Sequence, residues 1–177
     1  KSIIPSLLLN ASRNTHYWKK PIKLFEIGSV FYKDQSKINE KTMISGILAG
    51  TRNELNWNQE EGLVDYFDIK GIVEFILKKL NINVEFVDYT DPLFDLQKSS
   101  KLFNKNINKD IGCIGEISPK LLTELDFNSY NVVIFELDLD SLIKAKSSVI
   151  YEEFSTFPQA HRDLSLIVEK NVKFDDL

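Results

Sequence analysis

The 177-residue chain has one cysteine, one methionine and two histidines. A single thiol, Cys113, cannot close an internal disulfide or build a thiolate metal cluster, which fits a reducing compartment. His16 and His161 stand far apart without metal-ligand spacing, so each reads as a surface or linker side chain. Arginine is nearly absent: of 22 basic residues only Arg13, Arg52 and Arg162 are not lysine. Planar, two-point grip on phosphate or carboxylate is a property of guanidinium, and this chain has little of it. No apolar run approaches the ~20 residues of a membrane span, and the first residues lack a signal-peptide pattern. A phosphate loop, a GxGxxG after a strand, HExxH and GxSxG are all missing. There is neither an internal repeat nor a low-complexity tract.

What remains is ordinary globular composition: 43% hydrophobic, 27% charged, net charge −4. A chain of this length buries roughly 70% of its unfolded surface, enough for one good core or a core with an appendage. Disorder is excluded, and mild acidity argues against a binder that coats nucleic acid with its whole surface. Abundant Lys, Asn and Ile point to an AT-rich coding genome.

Residues 1–15 read as a helix with Pro5 in its first turn and Leu7, Leu8 and Ala11 on one face. Lys23 to Tyr32 is an aromatic and β-branched strand in which Gly28 marks a bulge or close approach. Polar residues 33–42 read as a solvated hairpin loop, and Met43 to Ala49 as an antiparallel second strand. Ile69, Ile72, Val73, Ile76, Leu77 and Leu80 repeat at helical spacing, with Asp65 or Asp68 as cap and Asn81 as stop. Val84 to Val87 is a short strand, Asp91 to Asp110 has no clear period, and Ile111 to Ile117 is strand again. Ser118-Pro119 opens a helix. Val132 to Leu139 alternates as a strand, and Asp140 caps a short helix after it. Lys144 to Glu153 reads as a linker, Leu164, Leu166 and Val168 as a further strand, and Lys173 to Leu177 as the first turn of a helix. A lone strand with an unfinished helix cannot bury a core, so the sequence is expected to stop inside a second domain.

Candidate chemistry is sparse. Cys113 lies between Gly112 and Ile114 and reads as a small core residue. Glu26 and Glu116 sit in apolar strands beside glycine. Either could shape a site, but pairing with a lysine or a backbone N–H explains them as well. Gly112 and Gly115 could admit a ligand or simply allow close strand packing. Trp18 and Trp57 could stack a base or pack. Asp65, Asp68 and Lys70, with Tyr66 and Phe67, form a polar, aromatic helix start that capping explains. Lys98 to Lys109 is a modestly basic strip that could meet RNA phosphate or stand in solvent.

Four runs together resemble one family. PSLLLNASRN followed by LFEIGSVF is similar to the start of the core domain of bacterial-type phenylalanine–tRNA ligase beta chains. VDYFDIKGIVEFIL resembles the family's VDFFDLKG-type helix start. IGCIGEISPKLLTELD with IFELDLDSL resembles its IGxxGExHP segment, and FSTFPQAHRDLSLIV its FPxxxRDLxLVV run. The order is the family's and covers nearly the whole chain. Two departures stand out: Asp95 to Ser100 (DLQKSS) replaces an HPGRSA-like run, and Ser118 replaces the GExHP histidine.

The resemblance implies an α+β fold, an antiparallel sheet flanked by helices like a class II aminoacyl-tRNA synthetase catalytic domain, here an inactive copy. It divides the chain into a core over 1–146, a linker over 147–153 and the start of a ferredoxin-like anticodon-binding domain over 154–177. It implies that an alpha chain performs ATP- and Mg2+-dependent attachment of L-phenylalanine to tRNA(Phe). The beta core would bind no cofactor itself and would brace the alpha chain in an (αβ)2 tetramer. Leu7, Leu8, Phe25, Ile27 and Phe31 are then the candidate subunit interface, and Lys98, Lys101 and Arg162 the candidate tRNA contacts. No metal ligand and no catalytic residue is expected, because no arginine lies in an fRxE- or GxGxxR-like context. The expected location is the cytoplasm, or a plastid stroma, with no membrane association. The alternative is a free-standing synthetase-derived module that binds RNA or protein.

Overall fold

The structure, a computed structural model, describes residues 2–17, 21–34, 37–53, 57, 62–127, 130–147, 157, 162–169 and 172. Its helices are α1 (Ile4–Tyr17), α2 (Tyr66–Leu80), α3 (Pro119–Glu124) and α4 (Leu139–Ala145). Its strands are β1 (Ile22–Asp34), β2 (Lys37–Ala49), β3 (Glu85–Asp88), β4 (Phe94–Asn104), β5 (Lys109–Ile117) and β6 (Val132–Asp138). They form one antiparallel sheet in the order β1-β2-β6-β5-β4-β3.

The hydrophobic pattern explains the layers. Strand β6 lies mid-sheet with every residue buried, so it is covered on both faces and not merely alternating. On one face Val133, Phe135 and Leu137 pack with Ile69, Val73 and Leu77 of α2 and Leu142 of α4. On the other, Ile134 and Val132 pack with Ile4, Leu7, Leu8 and Ala11 of α1 and Phe127 after α3. The α1 end is tethered by Glu136, which accepts from Ser2 Oγ (2.7 Å) and the Ile3 N–H (2.8 Å). Helix α2 begins with a reciprocal capping box between Asp65 and Asp68 and ends at Asn81, whose left-handed φ of 55° stops it.

Several sequence expectations are corrected. Residues 33–42 are mostly strand: β1 and β2 stay in register from Ile22↔Ala49 through Gly28↔Met43 to Asp34↔Lys37, with no bulge. Antiparallel pairing carries polar residues past the core, so composition there mimicked a loop. The stretch without period, 91–110, contains β4. Its polar side chains are satisfied individually, as when Asn104 donates to the Asn83 carbonyl and Ser99 to that of Tyr89. The cap of α4 is Asp138, not Asp140, and Leu139 belongs to the helix. Residues 162–169 form no strand and are exposed, and no described strand pairs with them. The expected linker loses Lys144 and Ala145 to α4. His161, Trp18 and the helical turn at 173–177 lie outside the described residues, as does the side chain of His16.

Candidate functional site

The two most distinctive sequence runs meet at the start of α2. Arg52 donates from Nε to Asp68 (2.8 and 2.9 Å) and from Nη2 to Asp65 (2.5 Å). These contacts, the Asp68 hydrogen bond foremost, push the guanidinium pKa above its ordinary value. From β5, Glu116 accepts the Tyr66 N–H at 3.0 Å and the Lys98 ammonium at 2.8 Å. The Glu116 hydrogen bond raises the Lys98 pKa. Tyr66 and Ser100 hydroxyls lie 2.8 Å apart. VDYFD and IGEIS thus come together to cap the start of α2, and Glu116 does what pairing predicted of it. Glu26 likewise accepts from Ser6 Oγ at 3.0 Å.

A second polar knot closes the other end of β6. Asp138, with a side chain 2% exposed, receives Lys41 (3.0 Å), Lys109 (3.1 Å), the Ser141 N–H (3.1 Å) and the Ser141 hydroxyl. Burial pushes this carboxyl up, but the hydrogen bonds from Ser141, Lys41 and Lys109 outweigh it and hold the pKa at about 2. The sequence reading missed this residue because the cap is also the last residue of an apolar strand.

The residues expected at a subunit interface separate into two groups. Leu7 and Leu8 are each 3% exposed and belong to the chain's own core, because α1 turns them onto the sheet. An interface cannot use them without opening that core. Phe25, Ile27 and Phe31 lie at alternate positions on one face of β1 and are 74%, 55% and 57% exposed. Because β1 is the sheet's edge, this margin is open both sideways and across its face among the described residues. Beside it runs an apolar trough of about 290 Å³ between β1–β2 and α2. Phe25, Ile44, Leu48, Ile72 and Ile76 form its walls, and Gly46 and Phe135 its floor. The floor needs glycine, since a Cβ on Gly46 would lie 2.4 Å from the Phe135 ring. Ile72, 38% exposed, and Phe75, 61% exposed, went unrecognised as surface. The visible signal was an apolar stripe on α2 wider than one core contact needs.

The lysine strip is neutralised within the chain. Lys98 pairs with Glu116, Lys101 with Asp110 (3.1 Å), Lys105 with Glu85 and Lys109 with Asp138. Lys101 also lies 4.8 Å from the Tyr89 ring centroid. Arg162 is exposed, as is Trp57 at 95%. Cys113 packs against the α1-side cluster, and burial pushes its thiol pKa up to about 12. Among the described residues, no group of three or more His, Cys, Asp or Glu could hold a metal ion, and no helix is long and apolar enough to cross a membrane.

The fold is class II aminoacyl-tRNA synthetase-like, an antiparallel six-stranded sheet with helices. The crystal structure of pyrrolysyl-tRNA synthetase from Desulfitobacterium hafniense superimposes with a TM-score of 0.58 at 16% identity, over 80% of this chain and 47% of that one. Residues 1–139 match the family described as "Phenylalanyl tRNA synthetase beta chain CLM domain", and the chain belongs to it. It is 33% identical over 169 residues to the phenylalanine–tRNA ligase beta subunit of Legionella pneumophila (strain Paris), covering 95% of this chain and 21% of that protein. Against the Bacillus subtilis beta subunit it is 33% identical over 177 residues, or 97% and 21%. Against the chloroplastic beta subunit of Phaeodactylum tricornutum it is 29% identical over 184 residues, or 99% and 26%. The chain thus spans about a fifth to a quarter of the length of these relatives.

Proposed function

We propose that this chain is the core of a phenylalanine–tRNA ligase beta subunit that performs no chemistry itself and braces an alpha chain. The alpha chain joins L-phenylalanine to tRNA(Phe) with ATP and Mg2+ in an (αβ)2 tetramer, in the cytoplasm or a plastid stroma. The observation that carries the reading is the open margin of β1, where three large apolar side chains face solvent on an edge strand. An edge of this length and character is a template for association, and monomers rarely leave one bare.

Arginine placement supports the inactive role. Adenylation calls for guanidinium groups on the phosphates of ATP. Arg13 is exposed on α1, Arg52 is consumed by Asp65 and Asp68, and Arg162 lies beyond the sheet. None lies on a strand, and the described residues offer no carboxylate cluster for magnesium, so they do not fit an ATP–Mg2+ group. The finer parts of the reading are proposals of the same kind: residues 154–177 begin a ferredoxin-like anticodon-binding domain, and Lys98, Lys101 and Arg162 approach tRNA. For the two lysines this means exchanging Glu116 and Asp110 for phosphate.

The test is co-expression of the full-length beta subunit with its alpha chain. Replacing Phe25, Ile27 and Phe31 together by Asp should abolish co-elution and aminoacylation while the variant keeps its circular dichroism. Wild-type tetramer formation by that variant rejects the interface. Pyrophosphate exchange by the beta chain alone rejects the division of labour.

A further inference from the structure

Strand β1 outruns the sheet that carries it. It pairs with β2 from Ile22↔Ala49 to Asp34↔Lys37, whereas β2 pairs with β6 only over Met43–Ala49. Past Gly28↔Met43 the two strands therefore form a ribbon in which each has the other as its described ladder partner. A two-stranded ribbon in water is marginally stable by itself. The first turn of α1 stands where the ribbon leaves β6. Buried Ile3 packs there with Val30 and Met43, and its Cγ2 is 3.4 Å from where a Cβ on Gly28 would lie.

Two carboxylates in one row of the sheet fix that turn. Glu26, Ser45 and Glu136 are register partners on β1, β2 and β6. Glu136 accepts from Ser2 Oγ and the Ile3 N–H, and Glu26 accepts from Ser6 Oγ. Ser2 Oγ in turn accepts the Ile4 N–H at 3.0 Å, so this hydroxyl caps the turn while Glu136 orients it. Helix α1 has no acidic residue in its own first turn, and Glu136 supplies from β6 the negative charge that a helix N-terminus favours. Glu136 is only 7% exposed, a costly place for a carboxylate that makes no special contact. An apolar side chain could pack there but could not hold a backbone N–H. Glu136 holds the Ile3 backbone, and the Ile3 side chain holds the ribbon.

We propose that the first turn of α1 is a clamp that presets edge strand β1 for docking, with Glu136 and Glu26 as its positioning residues. The clamp grips the face of β1 that carries Ile22, Glu26 and Val30, and leaves Phe25, Ile27 and Phe31 exposed on the other. The inference rests on the beta-subunit reading and deepens it: the margin that meets the alpha chain is ordered in advance from behind, so assembly does not have to order it.

The experiment uses the full-length beta subunit, alone and with its alpha chain. Ser2 and Ser6 are exposed, so Ser2→Ala with Ser6→Ala removes both hydroxyl donors without touching the core. Hydrogen exchange in the free subunit should quicken at least tenfold over Ser29 to Asp34 and change less than twofold in β5 and β6. The alpha chain should bind this variant severalfold more weakly, because only the ordered fraction binds. Glu136→Gln should act in the same direction, and Ser2→Thr with Ser6→Thr, which keeps both hydroxyls, should behave as wild type. Unchanged exchange over Ser29 to Asp34, or equal quickening in every strand, overturns the clamp. If the ribbon loosens and the alpha chain still binds as tightly, while the Phe25, Ile27, Phe31 triple variant dissociates, the docking role of the clamp fails and the beta-subunit reading survives. If the triple variant assembles as wild type, that parent reading fails first.

Discussion

Replacing Asp138 by Asn removes a charge while keeping the shape, and the consequence can be worked out. The carboxyl moves from an ordinary 3.8 to about 2 on folding. At about 1.4 kcal/mol per pKa unit, that differential interaction stabilises the folded chain by about 2.5 kcal/mol at neutral pH. Lys41 and Lys109 are 29% and 52% exposed, so solvent screens their part and about 2 kcal/mol is the better expectation. Asn still caps a helix well, so little of the loss comes from the α4 terminus. Because the folded pKa is depressed, the contribution is complete above pH 4 to 5 and fades as pH falls through 2. Urea denaturation of wild type and Asp138→Asn should therefore show a gap of about 2 kcal/mol at pH 7 that narrows steadily between pH 4 and pH 2. A gap that stays constant down to pH 2 would refute the electrostatic account, and a gap below about 0.5 kcal/mol at pH 7 would refute the knot altogether.

Gly112→Ala should be costly at mid-sheet, because its Cβ would lie 2.4 Å from the Glu136 carbonyl oxygen and 2.5 Å from Leu137 Cδ2. Overpacking against backbone costs about 1–3 kcal/mol, a fall of several degrees in a thermal melt; an unchanged melting temperature contradicts the geometry. Cys113, with its thiol pushed up to about 12, should resist iodoacetamide at pH 8 in the folded chain and react once urea unfolds it. Asp65→Ala removes the α2 cap and one hold on Arg52, and should lower stability by about 1–2 kcal/mol in the same denaturation assay.

The sequence was most informative where one rule acted alone. Helix α2 shows its apolar stripe, its cap and its stop in plain order: Asp65 caps it, Asn81 ends it and Ile69, Val73 and Leu77 are buried, although the helix starts earlier, at Tyr66, and Ile72 of the stripe is exposed. The β1–β2 pairing was legible for the same reason: two apolar runs with a connection too short for a crossover. Strand β4 was illegible because its buried positions Ser99, Ser100 and Asn104 are polar, each satisfied by a partner distant in sequence. No local period encodes such partners. Leu7 and Leu8 show a different ambiguity. An apolar helix face is drawn alike whether it meets its own sheet or another chain, and only the fold tells which. Phe25, Ile27 and Phe31 carried no such ambiguity once β1 was placed at the edge, since no described residue buries them.

The sheet's two rims are unequal, and that asymmetry has a cellular consequence. One rim is the four-residue β3, which carries Glu85 and Asp88; the other is the thirteen-residue β1 with its bare phenylalanines. If β1 is the assembly margin proposed above, a copy that has not found its mate would show the second rim to chaperones and proteases, and a mated copy would hide it. Under the proposed assembly, the surface that serves pairing would also be the one that exposes surplus copies to disposal.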